Sequence, residues 1–221
     1  NYSFGTLTNS NTYSQNGSFR KDTNMAVIPI SRELGSEGDR IADRLCEVLN
    51  YQRVDRDLLT QIAKEAGVDV EAVRAKEQSF AKRAKLVSNE MLSLYNRQPN
   101  AFDQKSSLND ADFIQIMRKA IEDYATQGKT IIVGRGGQIV LSKWPGALHV
   151  HLYAPAEVRT QRLAVRLGIS EIDAKRHIAE SDEQKKRFIA FVYKNADWKD
   201  LRYYHLVLNT ALLTVETAVQ I

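Results

Sequence analysis

A chain of 221 residues, 43% hydrophobic and 26% charged, carries apolar material for one sizeable core and a small subdomain, which excludes two independent large domains. The formal charge of +4, from 31 Lys and Arg against 27 Asp and Glu, suits an anionic partner without choosing between a small molecule and nucleic acid. A single cysteine, Cys46, excludes a disulfide framework; no apolar run approaches the roughly 18 residues that span a bilayer, and without a basic-then-apolar leader a cytoplasmic protein is expected.

Residues 1–24 are dominated by Asn, Ser, Thr and Gly, with isolated aromatics and no regular period. They read as a flexible polar extension that buries too little to offset its ordering entropy. Residues 25–221 form a single domain in which short β-rich runs alternate with helical patterns. Five runs, 26–31, 51–55, 130–134, 147–153 and 205–209, predict a five-stranded, mainly parallel α/β sheet covered on both faces.

The first run leads into Gly35, Ser36, Glu37 and Gly38, then into an amphipathic helix with Ile41, Leu45, Val48 and Leu49 on one stripe. Two glycines between strand and helix suit a phosphate-binding turn. They allow backbone conformations closed to other residues, and the amides that open the helix converge on an anion. An ordinary strand-to-helix connection is the plain alternative. The full phosphate-loop pattern is absent, since Asp39 follows Gly38 where Lys is required, and the base is displaced to Arg40 or Arg32.

Asp55, Arg56 and Asp57 end the second run. Asp55 is a candidate to hold Mg²⁺ through water or to take a proton from an acceptor, and Arg56 to bind an acceptor phosphate; helix capping is the alternative, favoured for Asp57. Residues 58–108 are too many for a crossover and predict a helical insertion, with a long helix over about 69–96. Asn109 or Asp110 caps the next helix, Phe113, Met117, Ala120, Ile121 and Tyr124 form its buried stripe, and Gly128 ends it. The run from Thr130 then delivers Arg135 to the carboxyl edge of the sheet. There its planar fork suits phosphate, with a structural ion pair weighed evenly against that role.

His149 and His151 alternate with Val150 and Leu152 and read as packing residues. Arg159, Arg162 and Arg166 share one helix face, and a second basic helix over 170–194 carries Lys185, Lys186 and Arg187. Residues 162–195 therefore read as a lid. Phosphoryl transfer needs alignment, exclusion of water and cations over the migrating group, and arginines on a mobile hairpin supply these on closure. Nucleic-acid binding is not expected, because no stacking aromatics interleave these charges. Homo-oligomerisation is left open.

Residues Ile30-Ser-Arg-Glu-Leu-Gly-Ser-Glu-Gly38, Val54-Asp-Arg-Asp-Leu58, Val133-Gly-Arg-Gly-Gly137, Ser181-Asp182, Ala196-Asp-Trp-Lys-Asp200 and Leu206-Val-Leu-Asn-Thr210, in that order, resemble the cytidylate kinase-like family of nucleoside monophosphate kinases. The resemblance implies a three-layer α/β/α P-loop kinase fold with a helical NMP-binding insertion and a helical lid. It implies ATP and Mg²⁺, nucleotide substrates with CMP or a related monophosphate as acceptor, and ADP plus a diphosphate as products. Gly35, Ser36, Glu37, Gly38 and Asp39 would then hold the donor phosphates. Asp55, Arg56, Arg135 and Asp182 would serve the acceptor. Arg40, Arg162, Arg166 and Arg187 would neutralise the transferred group.

Three departures accompany it. Asp39 and Arg40 stand where the better-known enzymes have Lys and a small hydroxyl residue, Gly134-Arg135-Gly136 replaces Gly-Arg-Asp, and residues 55–57 do not reproduce a Tyr-Arg acceptor element. They set a second expectation: a nucleotide-sensing or partner-binding module with a degenerate phosphate loop.

Overall fold

The computed structural model describes residues 26–83 and 109–221. The polar extension, residues 84–96 of the expected long helix and the rest of the insertion up to 108 lie outside them. Five strands, β1 (Val27–Arg32), β2 (Gln52–Val54), β3 (Thr130–Val133), β4 (Val150–Tyr153) and β5 (Leu206–Asn209), form one sheet in the order β2-β3-β1-β4-β5. Every pairing is parallel, and Ile30 is in register with Val133 on one side and Val150 on the other. All five carboxyl ends therefore share one edge, where ligands of open α/β sheets bind.

The inner strands β1, β3 and β4 are almost wholly buried because both faces are covered, while the edge strands β2 and β5 are more exposed, and side chains separate with a period of two. Ile28, Ile30, Ile131, Val133, Val150 and Leu152 pack with Ile41 and Ala42 of α1 (Gly38–Leu49) and Ala218 of α8 (Val215–Gln220). Val27, Val54 and Ile132 face the other way. They meet α2 (Arg56–Ala66) through Leu58 and Ile62, and α4 (Asp110–Gln127) through Met117 and Ile121. The result is a three-layer α/β/α sandwich. Among the described residues no helix is long and apolar enough to cross a membrane.

Local signals set most boundaries. The Asn109 side chain accepts the Asp112 amide at 2.8 Å and caps α4, whose buried residues include the whole expected stripe. At the other end of α4, Gly128 sits at φ 67°. In α1 the buried face is narrower than its spacing predicts: Leu45 and Cys46 are half-buried, while Val48 and Leu49 extend the face past its covering and stand 54% and 40% exposed. Asp55, not Asp57, occupies the position before α2, and its side chain makes no capping bond.

Two helical arms rise above the sheet. The insertion supplies α2 and α3 (Val70–Arg83). The second arm is a hairpin of α6 (Ala156–Leu167) and α7 (Glu171–Val192), packed internally through Leu163, Ala164, Ala174 and Ile178. A short helix, α5 (Gly137–Val140), follows β3. The arms touch. Phe80 of α3 is fully buried, 5.3 Å from the Phe113 ring and 4.8 Å from Phe191 of α7 between ring centroids.

Candidate phosphate-binding cleft

The turn between β1 and α1 needs its glycines for two separate reasons. Gly35 has φ 83°, and a Cβ there would stand 2.7 Å from the Arg159 carbonyl oxygen. A Cβ on Gly38 would drive into the Arg32 stem, 2.7 Å from its Cγ. Glu37, between them, holds φ 58°, which costs a non-glycine residue on the order of 1 kcal/mol. Ser36 is fully buried and donates its hydroxyl to the Glu33 carbonyl at 2.8 Å, so it braces the turn from within.

A cavity of about 500 Å³ opens beside this turn, with Gly35, Glu37, Gly38, Asp39 and Arg40 on one wall and Gln161, Arg162, Val165 and Arg166 of α6 on the other. Three expected cations, Arg40, Arg162 and Arg166, thus converge with the glycine turn. Arg162 is fixed by the Thr210 carbonyl at 2.7 Å and lies 3.9 Å from Glu37; Arg40 is 70% exposed and pairs with Glu37 at 2.5 Å. The turn's glycine backbone and these guanidinium groups suit an anion, while Glu33, Glu37 and Asp39 bring carboxylates to the same cavity. Arg187 does not line the cavity and pairs with Glu183 at 2.8 Å, one turn back on α7.

Of the four residues expected to serve an acceptor, the structure brings Asp55 and Arg135 together in a separate cluster and leaves Asp182 outside it. Arg135, at φ 49°, donates to the Asp55 carboxylate at 2.9 Å, the Asp55 carbonyl at 2.8 Å and Glu77 at 2.7 Å. The ion-pair alternative is therefore realised for Arg135. Arg53 and Arg32 also reach Asp55, at 3.3 and 3.8 Å. Burial opposes ionisation of Asp55, but Arg135, Arg32 and Arg53 outweigh it and hold the carboxyl below its ordinary range. Three guanidinium groups on one carboxylate do not fit Mg²⁺ carried by Asp55. Among the described residues no group of three or more His, Cys, Asp or Glu is placed to hold a metal ion. Arg56 follows Asp55 as the first residue of α2.

Asp182 is engaged as well. Arg159, whose side chain is 7% exposed, grips it through two bonds of 3.2 and 3.0 Å. The Arg159 Nε lies 3.3 Å from Glu33, close enough for ion pairing but too poorly aligned for a hydrogen bond. Lys199 completes the group, 2.5 Å from Glu33. Beside it Lys185 of α7 donates to the Arg32 carbonyl and stands 4.5 Å over the Trp198 ring. Burial and then Arg32 push its ammonium down to about 7 against the pull of Asp182, Glu33 and Asp39. His149 and His151 are buried among rings, His149 4.9 Å from His205 and His151 4.9 Å from Tyr204, as packing residues.

Sequence reasoning missed Arg53, Glu77, Arg159 as a buried clamp, and Lys185 as more than one charge in a basic run. Arg32 was visible only as one of two displaced bases. Each acquires its place from tertiary contacts with distant segments, for which spacing gives no signal.

A wholly parallel sheet sandwiched by helices, with a glycine turn after its central strand and two helical arms over the carboxyl edge, defines a P-loop kinase fold. Residues 27–212 match the cytidylate kinase-like family, and the chain belongs to that family. It is 24% identical to a cytidylate kinase of Pyrobaculum islandicum over 198 residues, covering 89% of this chain and 90% of that enzyme. A uronate isomerase of Corynebacterium glutamicum is 31% identical over 91 residues, where the match spans 41% of this chain but only 17% of the isomerase. The crystal structure of an uncharacterized protein from Eubacterium ventriosum shares the fold, with a TM-score of 0.61 and 21% identity over 88% of this chain and 94% of that one.

Proposed function

We propose that this protein transfers the terminal phosphoryl group of ATP to a nucleoside monophosphate, CMP or a close relative, yielding ADP and the diphosphate. The observation that carries the reading is the convergence of Arg40, Arg162 and Arg166 on the cavity beside the glycine turn. Gly35, Glu37, Gly38 and Asp39 form the donor wall, with Ser36 holding its shape from beneath. Such transfer needs little covalent help from the protein and depends on aligned phosphates under fixed positive charge. Arg187 would have to leave Glu183 to join the others on closure of the α6–α7 hairpin.

Asp55, Arg56, Arg135 and Asp182 stand at the acceptor side. An incoming monophosphate would compete with Asp55 and Glu77 for Arg135, replacing carboxylate oxygens by phosphate oxygens. Mg²⁺ belongs to the reading as the companion of ATP, held mainly by phosphate and water. A cytoplasmic location suits these substrates. A sensor without turnover is favoured by two observations: Asp39 stands at the lysine position, and Arg135 is already matched by carboxylates.

The test incubates the full chain with ATP, Mg²⁺ and each monophosphate in turn. Diphosphate from a cytidine or related acceptor supports the kinase. Saturable nucleotide binding with no product at any protein concentration supports the sensor and overturns the kinase.

A further inference from the structure

We propose that Arg32 is the catalytic cation that stands in for the missing loop lysine, held in place by Asp39; this rests on the phosphotransfer reading above. β1 carries Arg32 to the carboxyl edge at the seam between the donor turn and the acceptor cluster. Its stem lies over Gly38, where an added Cβ would meet its Cγ at 2.7 Å, and its Nη1 comes 3.0 Å from where a Cβ on Gly134 would stand. Bare backbone at both glycines is what lets one side chain run from the first loop to the second.

The contacts distinguish Arg32 from the other arginines of this edge. Arg135 is held at 2.7 and 2.9 Å, and Arg53 at 2.5 Å by Asp43 and 2.8 Å by Asp39. The nearest carboxylate approaches of Arg32 are longer, 3.3 Å to Asp39 and 3.8 Å to Asp55. Arg53 and Arg135 are therefore committed to the scaffold, while Arg32 keeps a fork with weaker calls upon it, 23% exposed at the seam. Asp39 does not merely subtract a charge. Its carboxylate takes the Nε of Arg32 and one Nη of Arg53, so the loop supplies the anion and the strand ends supply two cations. Asp43 and Asp55 also draw on Arg53, which leaves Arg32 as the cation least matched by carboxylates.

In the reaction the bond from the terminal phosphorus of ATP to the oxygen bridging to ADP breaks, and a bond forms from that phosphorus to an acceptor phosphate oxygen. ADP leaves with the electron pair. Arg32 makes no covalent bond; it lies behind Gly38 rather than on the cavity wall, and its fork swings toward the migrating group to neutralise it as charge develops.

The test compares steady-state diphosphate formation by the full chain carrying Arg32→Met, Arg32→Lys, Asp39→Asn and the Arg32→Met/Asp39→Asn pair. Arg32→Met is expected to lower kcat about 100-fold with KM for ATP within about threefold, and Arg32→Lys to recover about a tenth of wild-type kcat. Asp39→Asn, as the positioning residue, is expected to lower kcat about tenfold alone and to add nothing to Arg32→Met, a non-additivity that general destabilisation would not give. Far-ultraviolet circular dichroism checks folding; if Arg32→Met does not fold, Arg32→Lys decides by the same kcat criterion. Unchanged kcat in the folded Arg32 variants overturns this inference alone, as does a rise in KM without a fall in kcat. A wild type that forms no diphosphate from any monophosphate overturns the phosphotransfer reading and this one with it.

Discussion

Replacing Lys185 by Met should make the empty protein more stable near neutral pH. The ammonium lies half-buried under α7, facing Arg32, Asp182, Glu33, Asp39 and the Trp198 ring, and is depressed from 10.5 to about 7. The unfolded chain keeps this proton up to about 10.5, whereas the folded protein sheds it near 7, so between those values the unfolded state binds more protons. The contribution of this group to stability therefore rises with pH across that window, and at pH 7 its burial still costs about 4 kcal/mol. Methionine keeps the stem volume and removes the charge, at the loss of the bond to the Arg32 carbonyl, worth about 1 kcal/mol. Lys185→Met should then gain roughly 3 kcal/mol at pH 7, and the gain should vanish by about pH 10. Urea unfolding of both proteins at pH 6, 7, 8.5 and 10, without nucleotide, measures it. Parallel stability profiles for wild type and variant would refute the reasoning.

Other perturbations probe the same architecture. Arg159→Met leaves Glu33 and Asp182 facing only Lys199 and the depressed ammonium of Lys185, and should cost about 3 kcal/mol in urea unfolding, because a buried pair loses one partner. Gly136→Ala would force a Cβ to within 2.6 Å of Tyr193 Cζ at φ 75°, costing about 3 kcal/mol and lowering Tm by about 10 °C by calorimetry. Arg162→Ala should weaken ATP binding about tenfold by calorimetric titration while leaving Tm within about 2 °C, since Arg162 bridges the cavity wall to the Thr210 carbonyl outside both main cores.

The sheet was legible because its strands other than the short β2 are runs rich in β-formers, and because alternating helical patterns leave a parallel arrangement as the natural outcome. The α4 boundaries were legible for the same reason: Asn109 and Gly128 are local signals. The turn that lines the cavity from Gly35 to Arg40 was legible, since a contiguous turn carries its own geometry. The charge pairing at the carboxyl edge was not. Asp55 looked like a metal ligand or a cap because nothing in its neighbourhood of sequence reveals Arg135 and Arg32, which arrive from β3 and β1. Asp39 looked like a defect for the same reason, since the arginines it holds lie on two different strands. Val48 and Leu49 obeyed the helical period, which describes a face but not how far its cover reaches.

Phe80 fastens the insertion to the hairpin. Prising α3 from α7 would part the stacked Phe80 and Phe191 rings, at about 1 kcal/mol for the pair beyond the apolar area it uncovers. Neither jaw swings without the other. A substitution that unstacks these rings should therefore loosen both arms at once.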